Sequence, residues 1–379
     1  MGNMTILDAT TFIKFLTSPS RFERDPLLEN AKRALQSHFF SVVILLASAT
    51  ACSSNPLQTA PPTVEPARPA VSPRASQTPA GVVRPLAGKA QAAIYDGGSH
   101  RLVTLSAGSD PSAPASISIF GNEQTAPRTI ALPGPATALA CDGNGTAYAA
   151  GRGAYSAINL ASGQIAQIGV ADAAGTDFTA IARRADGKLV LGSADGALYT
   201  LAPSGTPTNA GTASVVNRSK IFARVDAVVT QGNTTVVLDR GQTSVTAIGA
   251  GGSVEQALRA GEGATTLAAD PLGRVLVADT RGGQLLVYGV NPLILRQAYP
   301  VRRSPYGLAG SHDLAWVSQT ASNLVIGYDL STGIPVEKVR YPTVQQPNSL
   351  AFDETSGTLY VVSGSGAGVQ VIEHAAGIP

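Results

Sequence analysis

Two short segments of the chain place an aspartate, an arginine and a glycine at the same point of a repeated pattern. They read Asp239-Arg240-Gly241 and Asp279-Thr280-Arg281-Gly282, and the two aspartates lie 40 residues apart. A carboxylate beside a guanidinium offers a polar ligand an acceptor and a fixed fork of donors. The same groups can instead brace their own loop as an ion pair. The sequence leaves both interpretations open.

These segments belong to a repeat that begins with a short run of small, mostly apolar residues. The run recurs seven times at intervals of roughly 39 to 47 residues, the period of a four-stranded propeller blade. A turn rich in Asp, Asn or Gly and further β-rich runs follow most copies. We therefore predict an all-β fold, a seven-bladed β-propeller. The copies of the run are Ala92-Ala93-Ile94, Ala138-Leu139-Ala140, Ala180-Ile181-Ala182, Ala227-Val228-Val229, Thr266-Leu267-Ala268, Gly307-Leu308-Ala309 and Ser349-Leu350-Ala351.

The ring needs one strand from outside the repeats. The last copy, residues 348–374, supplies three strands, whereas an orphan β-rich run at 82–86 precedes the first copy. An open edge strand invites aggregation, so a propeller must close on itself. We predict that residues 82–86 complete the final blade beside residues 369–373, within a propeller that spans 80–377.

The repeat also predicts which side chains share a surface. In a propeller, the loops before the first strands and the loops between the second and third strands surround one mouth of the central channel. We predict a ligand-binding surface there. The loops before the first strands supply Asp177, Arg224, Asp226, Tyr306 and Asn348, and the other loops supply Asp195, Asp239, Arg240, Asp279, Arg281 and Asn323.

No pattern in the chain predicts catalysis. A metal-dependent lactonase or hydrolase, the enzymatic alternative, would need Glu, Asn and Asp side chains to converge on an ion at the channel mouth. No Glu begins a first strand, and His100, His312 and His374 are scattered over turns. No G-x-S-x-G segment frames a serine. We assign no catalytic residue, no metal and no cofactor, and we expect a binding or scaffolding module.

The N-terminal region is typical of an export signal. Lys32 and Arg33 precede a 13-residue apolar run, residues 39–51, which is shorter than a bilayer span. The run ends in Ala49-Thr50-Ala51 before Cys52, a pattern similar to the bacterial lipobox. We predict a signal peptide over 1–51, with a true start downstream of the first Met, and a lipid on Cys52. An ordinary cleavage or an uncleaved anchor remains the alternative.

Composition constrains the partners. Residues 52–79 are rich in Pro, Ser and Thr, which predicts a disordered, extended tether. The chain has 27 basic and 25 acidic residues, and 22 and 21 remain after removal of the signal. This balance argues against nucleic acid. We expect a monomer on the outer side of the cell membrane, held there by its lipid, that binds an envelope protein, a glycan or a small ligand.

The segment GTLYVVSGSGAGVQVIEHAAG, residues 357–377, resembles the repeat of YVTN-type, WD40-like β-propellers. The order of signal, Pro-rich segment and propeller also resembles the conserved actinobacterial lipoproteins of the LppL type. That resemblance implies a lipoprotein of the cell envelope and carries no catalytic residue to this chain. Cys141, the second cysteine, is expected to be a half-buried core residue.

Overall fold

The computed structural model of the protein describes residues 61–121, 126–203 and 211–377. Within these ranges the regular structure consists of strands, without a helix. The strands form seven small sheets, and the first strands of consecutive sheets contact each other around a ring. The predicted seven-bladed β-propeller is therefore confirmed.

Blades 1 to 3 follow the order of the chain, and the first strand of each is innermost. Blade 2 gains a fifth strand, because Gly211–Ala213 (β13) pairs in parallel with Ile165–Val170 (β9). The strands of blade 1 are β2 (Ala90–Asp96), β3 (Arg101–Ser106), β4 (Ser116–Phe120) and β5 (Arg128–Ala131). Those of blade 2 are β6 (Ala136–Cys141), β7 (Thr146–Gly151), β8 (Ala154–Asn159), β9 (Ile165–Val170) and β13 (Gly211–Ala213). Those of blade 3 are β10 (Phe178–Arg183), β11 (Leu189–Ser193), β12 (Ala197–Leu201) and β14 (Val215–Lys220).

Blades 4 to 7 continue in the same way. The strands of blade 4 are β15 (Ala227–Gln231), β16 (Thr234–Asp239), β17 (Ser244–Ile248) and β18 (Val254–Arg259). Those of blade 5 are β19 (Ala264–Ala269), β20 (Arg274–Asp279), β21 (Gln284–Val290) and β22 (Leu293–Pro300). Those of blade 6 are β23 (Pro305–Gly310), β24 (Ala315–Gln319), β25 (Leu324–Asp329) and β26 (Val336–Pro342). Those of blade 7 are β27 (Pro347–Asp353), β28 (Thr358–Ser363), β29 (Val369–Ile372) and β1 (Val82–Arg84).

The two ends of the described chain close the ring together. β1 pairs antiparallel with β29, with Val82 opposite Val371 and Arg84 opposite Val369. The Gln370 amide group secures the junction, because it donates hydrogen bonds to the carbonyls of Ala80 and Pro342 at 2.7 and 2.9 Å. The predicted closure is confirmed, although the strand ends two residues earlier than expected.

The hydrophobic core lies between the blades. Seven clusters of buried residues are found in the described chain, and each joins two neighbouring blades. The cluster between blades 7 and 1 contains Phe120 from β4 and Tyr360 from β28, so the closing interface packs like the other six. Trp316 lies fully buried in β24, as expected of a core residue. No blade interface lacks its cluster, which stabilises the ring by burial of apolar surface.

A β-bulge recurs at the channel mouth. In six blades the innermost strand starts with a β-bulge, for example between Ala136 and Ala138 in β6. Beside these bulges, Thr137, Thr179 and Thr266 each donate a hydrogen bond to a main-chain carbonyl in the next blade. These bonds fix the positions of the loops that surround the mouth.

Candidate functional site

A pocket lined by both polar and apolar residues lies at the channel mouth. Its volume is about 700 Å³, within the range usual for small-molecule sites. Five predicted residues line it, namely Arg224, Asp226, Arg240, Tyr306 and Asn348. The other lining residues are Pro66, Arg68, Pro69, Val71, Lys89, Gln346, Gly364 and Ser365.

One wall of this pocket comes from the Pro-rich segment. Residues 64–73, here called the strap, have no regular secondary structure but lie across the channel mouth. The backbone N–H of Val64 donates to the Gly241 carbonyl at 2.8 Å, and Ser72 and Ala67 are buried. The sequence predicted a disordered tether over 52–79. For the strap that expectation is wrong, because its backbone groups have partners on the ring.

The two arginines of the repeated segments bind the first half of the strap. Arg240 donates from its guanidinium to the carbonyl of Ala67, and Arg281 donates to the carbonyl of Glu65 at 2.6 Å. Ordering a Pro-rich segment costs less conformational entropy than ordering another segment, since proline already restricts the backbone of the unbound chain. The acceptors of these arginines are therefore carbonyls of the same chain.

Blades 6 and 7 bind the second half of the strap. The Ser304 hydroxyl accepts from the Ala70 backbone N–H at 3.0 Å, and the Asn323 amide group donates to the Pro73 carbonyl at 2.8 Å. Gln346 makes three bonds, to the Ser72 backbone N–H, the Ser72 hydroxyl and the Ala70 carbonyl. The strap thus crosses from blades 4 and 5 to blades 6 and 7.

The residues that hold the second half of the strap have an unusual backbone. Ser304, Asn323 and Gln346 have φ angles of 60°, 50° and 56°, in the left-handed region. Such a conformation costs about 1 kcal/mol or more for most non-glycine residues. Strain of this kind concentrates at functional sites, and here it directs three side chains toward the strap.

Asp239 and Asp279, by contrast, brace the ring. Both carboxylates are completely buried. Asp239 accepts three backbone N–H bonds, from Ala223, Arg224 and Gln242, at 2.8 to 3.2 Å. Asp279 accepts three in the same way, and its donors are Glu262, Gly263 and Gly282, at 2.8 to 3.0 Å. The aspartates thus brace their loops through backbone N–H groups, and the expected ion pairs with Arg240 and Arg281 are not found among the described residues.

Asp177 and Asp195 do not join the pocket. Asp177 lies 3.7 Å from Arg152 in an exposed ion pair. Asp195 lies 2.9 Å from Lys220 and accepts a hydrogen bond from Ser193. The hydroxyl and Lys220 together lower the pKa of the Asp195 carboxyl. The pocket draws its residues from the strap and from blades 1, 4, 6 and 7, so blades 2, 3 and 5 do not contribute to it.

Asp226 is the one carboxylate among the residues that line the pocket. It accepts from the Arg240 backbone N–H at 2.8 Å and from the Arg224 side chain at 3.1 Å. Burial raises the pKa of this carboxyl, against the opposite effect of the Arg240 N–H and of the two guanidinium charges. Burial likewise raises the pKa of the Tyr306 hydroxyl, which keeps it a neutral hydrogen-bonding group.

Sequence reasoning missed Arg68, Lys89 and Gln346. Lys89 and Gln346 precede the first strands of blades 1 and 7, so the loop rule that selected Tyr306 and Asn348 applies equally to them. No signal in the sequence identifies Arg68, because its place follows from the docking of the strap. Arg68 and Lys89 have no hydrogen-bonding or ion-pair partner among the described residues.

Other candidate groups are separate from the pocket. No cluster of three or more His, Cys, Asp or Glu side chains with metal-binding geometry occurs in the described ranges. Cys141, at the end of β6, is half-buried, and burial raises its pKa to about 12. His312 pairs with Glu354 at 3.0 Å, and this partner raises the pKa of the imidazole.

The predicted lipidation site, Cys52, and the signal segment lie outside the described residues. In the part of the chain that the structure covers, no helix is long and apolar enough to cross a bilayer. Lipidation, location and oligomeric state therefore stay predictions.

Comparison with known proteins identifies the fold. No family model matches the chain, and no curated protein matches it. Among solved structures, a streptogramin B lyase is similar, with a TM-score of 0.59 and 11% identity over 78% of this chain and 96% of that one. The WD40 repeats of RRP9 give a TM-score of 0.63 and 15% identity over 78% and 99%. A chain of the mitotic checkpoint complex gives 0.62 and 12% over 81% and 98%.

At these identities the likeness concerns architecture alone. The neighbours are β-propellers of the WD40 and YVTN type, which agrees with the resemblance of residues 357–377. The resemblance to actinobacterial lipoproteins stays a prediction. The chain is a seven-bladed β-propeller with a pocket beneath its own N-terminal strap.

Proposed function

We propose that the protein is a lipid-anchored binding module of the cell envelope, and that its ligand occupies the pocket between the strap and the channel mouth. The observation that carries this proposal is the pocket itself. It gathers side chains from four blades and the strap around about 700 Å³. Loops far apart in the sequence thus converge on one concave surface, which is the usual form of a ligand site.

The polar groups of the pocket exceed what the fold requires. The buried aspartates that brace the ring, Asp239 and Asp279, lie outside the lining. Among the lining residues, Arg68 and Lys89 have no partner in the described chain, and Tyr306 uses its backbone carbonyl rather than its hydroxyl to bond Thr266. Donors and acceptors without a structural task are available to a ligand.

The size of the pocket and the strap that covers part of it indicate the kind of partner. The strap lies over part of the channel mouth, so a small ligand fits the remaining space, and a protein or glycan partner would contact the strap as well. The enzymatic alternative needs several convergent carboxylates, whereas Asp226 is the one carboxylate in the described lining. Binding is therefore the better supported activity.

The test compares a blocked pocket with an equally modified surface. Ser365→Trp places a large side chain in the lining, and Ser253→Trp places one at an exposed turn between β17 and β18. The full chain of each variant is incubated with a small-molecule extract of the cells that produce it and analysed by native mass spectrometry. We expect a one-to-one adduct with the wild type and with Ser253→Trp, and none with Ser365→Trp. An adduct retained by Ser365→Trp, or absent from the wild type, contradicts the proposal.

A further inference from the structure

The charge of the pocket is strongly one-sided, although the chain as a whole is nearly balanced. Four cationic side chains line it, from Arg68, Lys89, Arg224 and Arg240, against the single carboxylate of Asp226. Arg68 belongs to the strap, and Lys89 directly precedes the first strand of blade 1. Arg224 and Arg240 belong to loops of blade 4. Chain segments that are distant in sequence therefore bring positive charge to one concave site, where field lines are focused.

The fold uses only part of this cationic capacity. The Arg224 Nε–H donates a hydrogen bond to the Asp226 carboxylate at 3.1 Å, and the Arg224 side chain stays about half exposed, at 48%. Arg240 donates one guanidinium nitrogen to the Ala67 carbonyl, while its buried Nε has no partner in the described chain. Arg68 and Lys89 are exposed and unpaired among the described residues. At least two full charges therefore remain uncompensated.

Neutral hydrogen-bonding groups form part of the remaining lining, beside three apolar residues of the strap. Tyr306, Asn348 and Ser365 carry hydroxyl or amide groups, and Gly364 adds a main-chain position, whereas the Gln346 amide group is already bonded to the strap and to Asn348. Amide and hydroxyl groups both donate and accept, which suits hydroxyl groups on a ligand. The lining therefore combines an anion-attracting part with a part suited to polar, uncharged atoms.

We propose that the pocket binds a small ligand that carries a phosphate or carboxylate group on a hydroxyl-rich body, such as a sugar phosphate or a sugar acid. This inference rests on the proposed function and names the chemical class of its ligand. The arginines and Lys89 hold the anionic group by charge-assisted hydrogen bonds. The neutral groups orient the remainder of the ligand.

The strap contributes directly to ligand binding in this site. Arg68 reaches the ligand only while the strap is docked, so each bound ligand adds a contact between the strap and the ring. Binding and docking are then coupled, and each strengthens the other by the same factor. A ligand of this class should therefore protect the strap from proteolysis, which a ligand held by the ring alone would not do.

Three probes separate the possibilities on the full chain. Glucose 6-phosphate carries a phosphate, gluconate carries a carboxylate, and glucose offers hydroxyl groups alone. We expect isothermal titration to show binding of at least one anionic probe and none of glucose at the same concentrations. Whichever anionic probe binds more tightly distinguishes a phosphate from a carboxylate ligand.

Two charge-removing variants and one matched control locate the interaction. Arg68→Gln and Lys89→Gln should each weaken binding of the anionic probe by about tenfold, the loss of one hydrogen bond to a charged group. Arg296→Gln removes an equal charge from an exposed position of β22 and should leave the affinity unchanged. Both pocket positions are exposed, so the variants are expected to fold.

The outcomes distinguish this inference from the function on which it rests. Equal affinity for glucose and the anionic probes, or equal effects of all three variants, overturns the anion assignment. Failure of every probe overturns it too. In each of these cases an adduct that Ser365→Trp abolishes would still support a ligand pocket, and its mass would direct the choice of another ligand class.

Discussion

Ser72 and Gln346, which lie 274 residues apart in the sequence, hold each other by two reciprocal hydrogen bonds. The Ser72 backbone N–H donates to the Gln346 side-chain oxygen at 2.9 Å, and the Gln346 backbone N–H donates to the Ser72 hydroxyl at 3.0 Å. The Ser72 hydroxyl in turn donates to the Thr320 carbonyl at 2.6 Å. A single buried serine thereby links the strap to blades 6 and 7.

Removal of that hydroxyl should release the strap and leave the ring folded. Ser72→Ala deletes two hydrogen bonds of about 1 kcal/mol each, so local opening of the strap should become easier by about 2 kcal/mol. Hydrogen exchange should therefore accelerate for the strap amides, while strands of the core exchange as before. Ser76→Ala, at an exposed position beyond the strap, is the control. Unchanged exchange in Ser72→Ala would show that other contacts hold this segment.

The bracing role of Asp279 predicts a large loss of stability on its removal. Asp279→Ala leaves one buried and two partly buried N–H groups without their acceptor, which should lower the free energy of unfolding by about 3 kcal/mol. Asp195→Ala removes a carboxylate that is half exposed, and the loss should stay below about 1 kcal/mol. Urea denaturation of both variants measures the difference. Equal losses would contradict the distinction between a bracing and a surface aspartate.

Closure of the ring depends on Gly81, the residue before β1. Its φ of 70° lies in the left-handed region, and a Cβ atom there would collide with the Val371 carbonyl oxygen in β29. Gly81→Ala should lower the free energy of unfolding by about 2 kcal/mol or more and expose the edge of β29.

The control for closure is Gly97→Ala, because a Cβ atom at Gly97 meets open space. Thermal unfolding and light scattering would follow stability and aggregation in both variants. A Gly81→Ala protein as stable and as soluble as Gly97→Ala would show that β1 is dispensable.

Binding of an anion should strengthen as the pH falls through the raised pKa of Asp226. Burial disfavours the ionised carboxylate, so the proton is taken up at a higher pH than by an exposed aspartate. Protonation removes the one negative charge of the described lining, while the facing Arg224, Arg240, Arg68 and Lys89 stay positive. Tyr306 stays neutral over this range.

Sulfate is a suitable probe for this effect because it keeps its charge from pH 7 to pH 4. The affinity of the wild type should rise over that interval toward the affinity of Asp226→Asn, which lacks the titrating group. Parallel pH profiles for the two proteins would assign the change to other carboxylates. The same shift implies that ionised Asp226 lowers stability at neutral pH and that its protonation restores it.

The predicted lipid anchor is tested by fractionation of cells. Cys52→Ala should move the protein from the membrane to the soluble extracytoplasmic fraction, because the acyl chains supply the hydrophobic attachment. Cys141→Ala is the matched control, since Cys141 is half-buried in β6. A Cys52→Ala protein that remains with the membrane would rule out the lipobox interpretation.

The sequence predicted the ring because a propeller repeats its pattern. The spacing of the small-apolar runs determined the blades, and the missing strand of the last blade identified residues 82–86 as its complement. Tyr306 and Asn348 could be assigned to the channel mouth because the position of a loop within a blade decides which face it occupies. Periodicity carries this information without any knowledge of side-chain contacts.

The docking of the strap could not be predicted from composition, because composition shows only whether a segment can form a core of its own. A Pro-rich segment forms no core of its own, and that inference holds for residues 64–73. Its docking depends on backbone carbonyls that accept hydrogen bonds from Arg240, Arg281 and Asn323. Every residue has a backbone carbonyl, so the sequence does not indicate which of them will be bound. For the same reason Arg240 and Arg281 looked like ligand-binding residues, although part of their bonding capacity serves the strap.

The order of the strap contacts along the chain gives the protein a mechanical property. A pull on the chain from its N-terminal side would load the contact at Val64 first, then those at Glu65, Ala67, Ala70 and Ser72, and only afterwards β1. These contacts would then break one after another, in the order in which they occur along the chain. The strap contacts would therefore break before tension reached β1, the strand that closes the propeller.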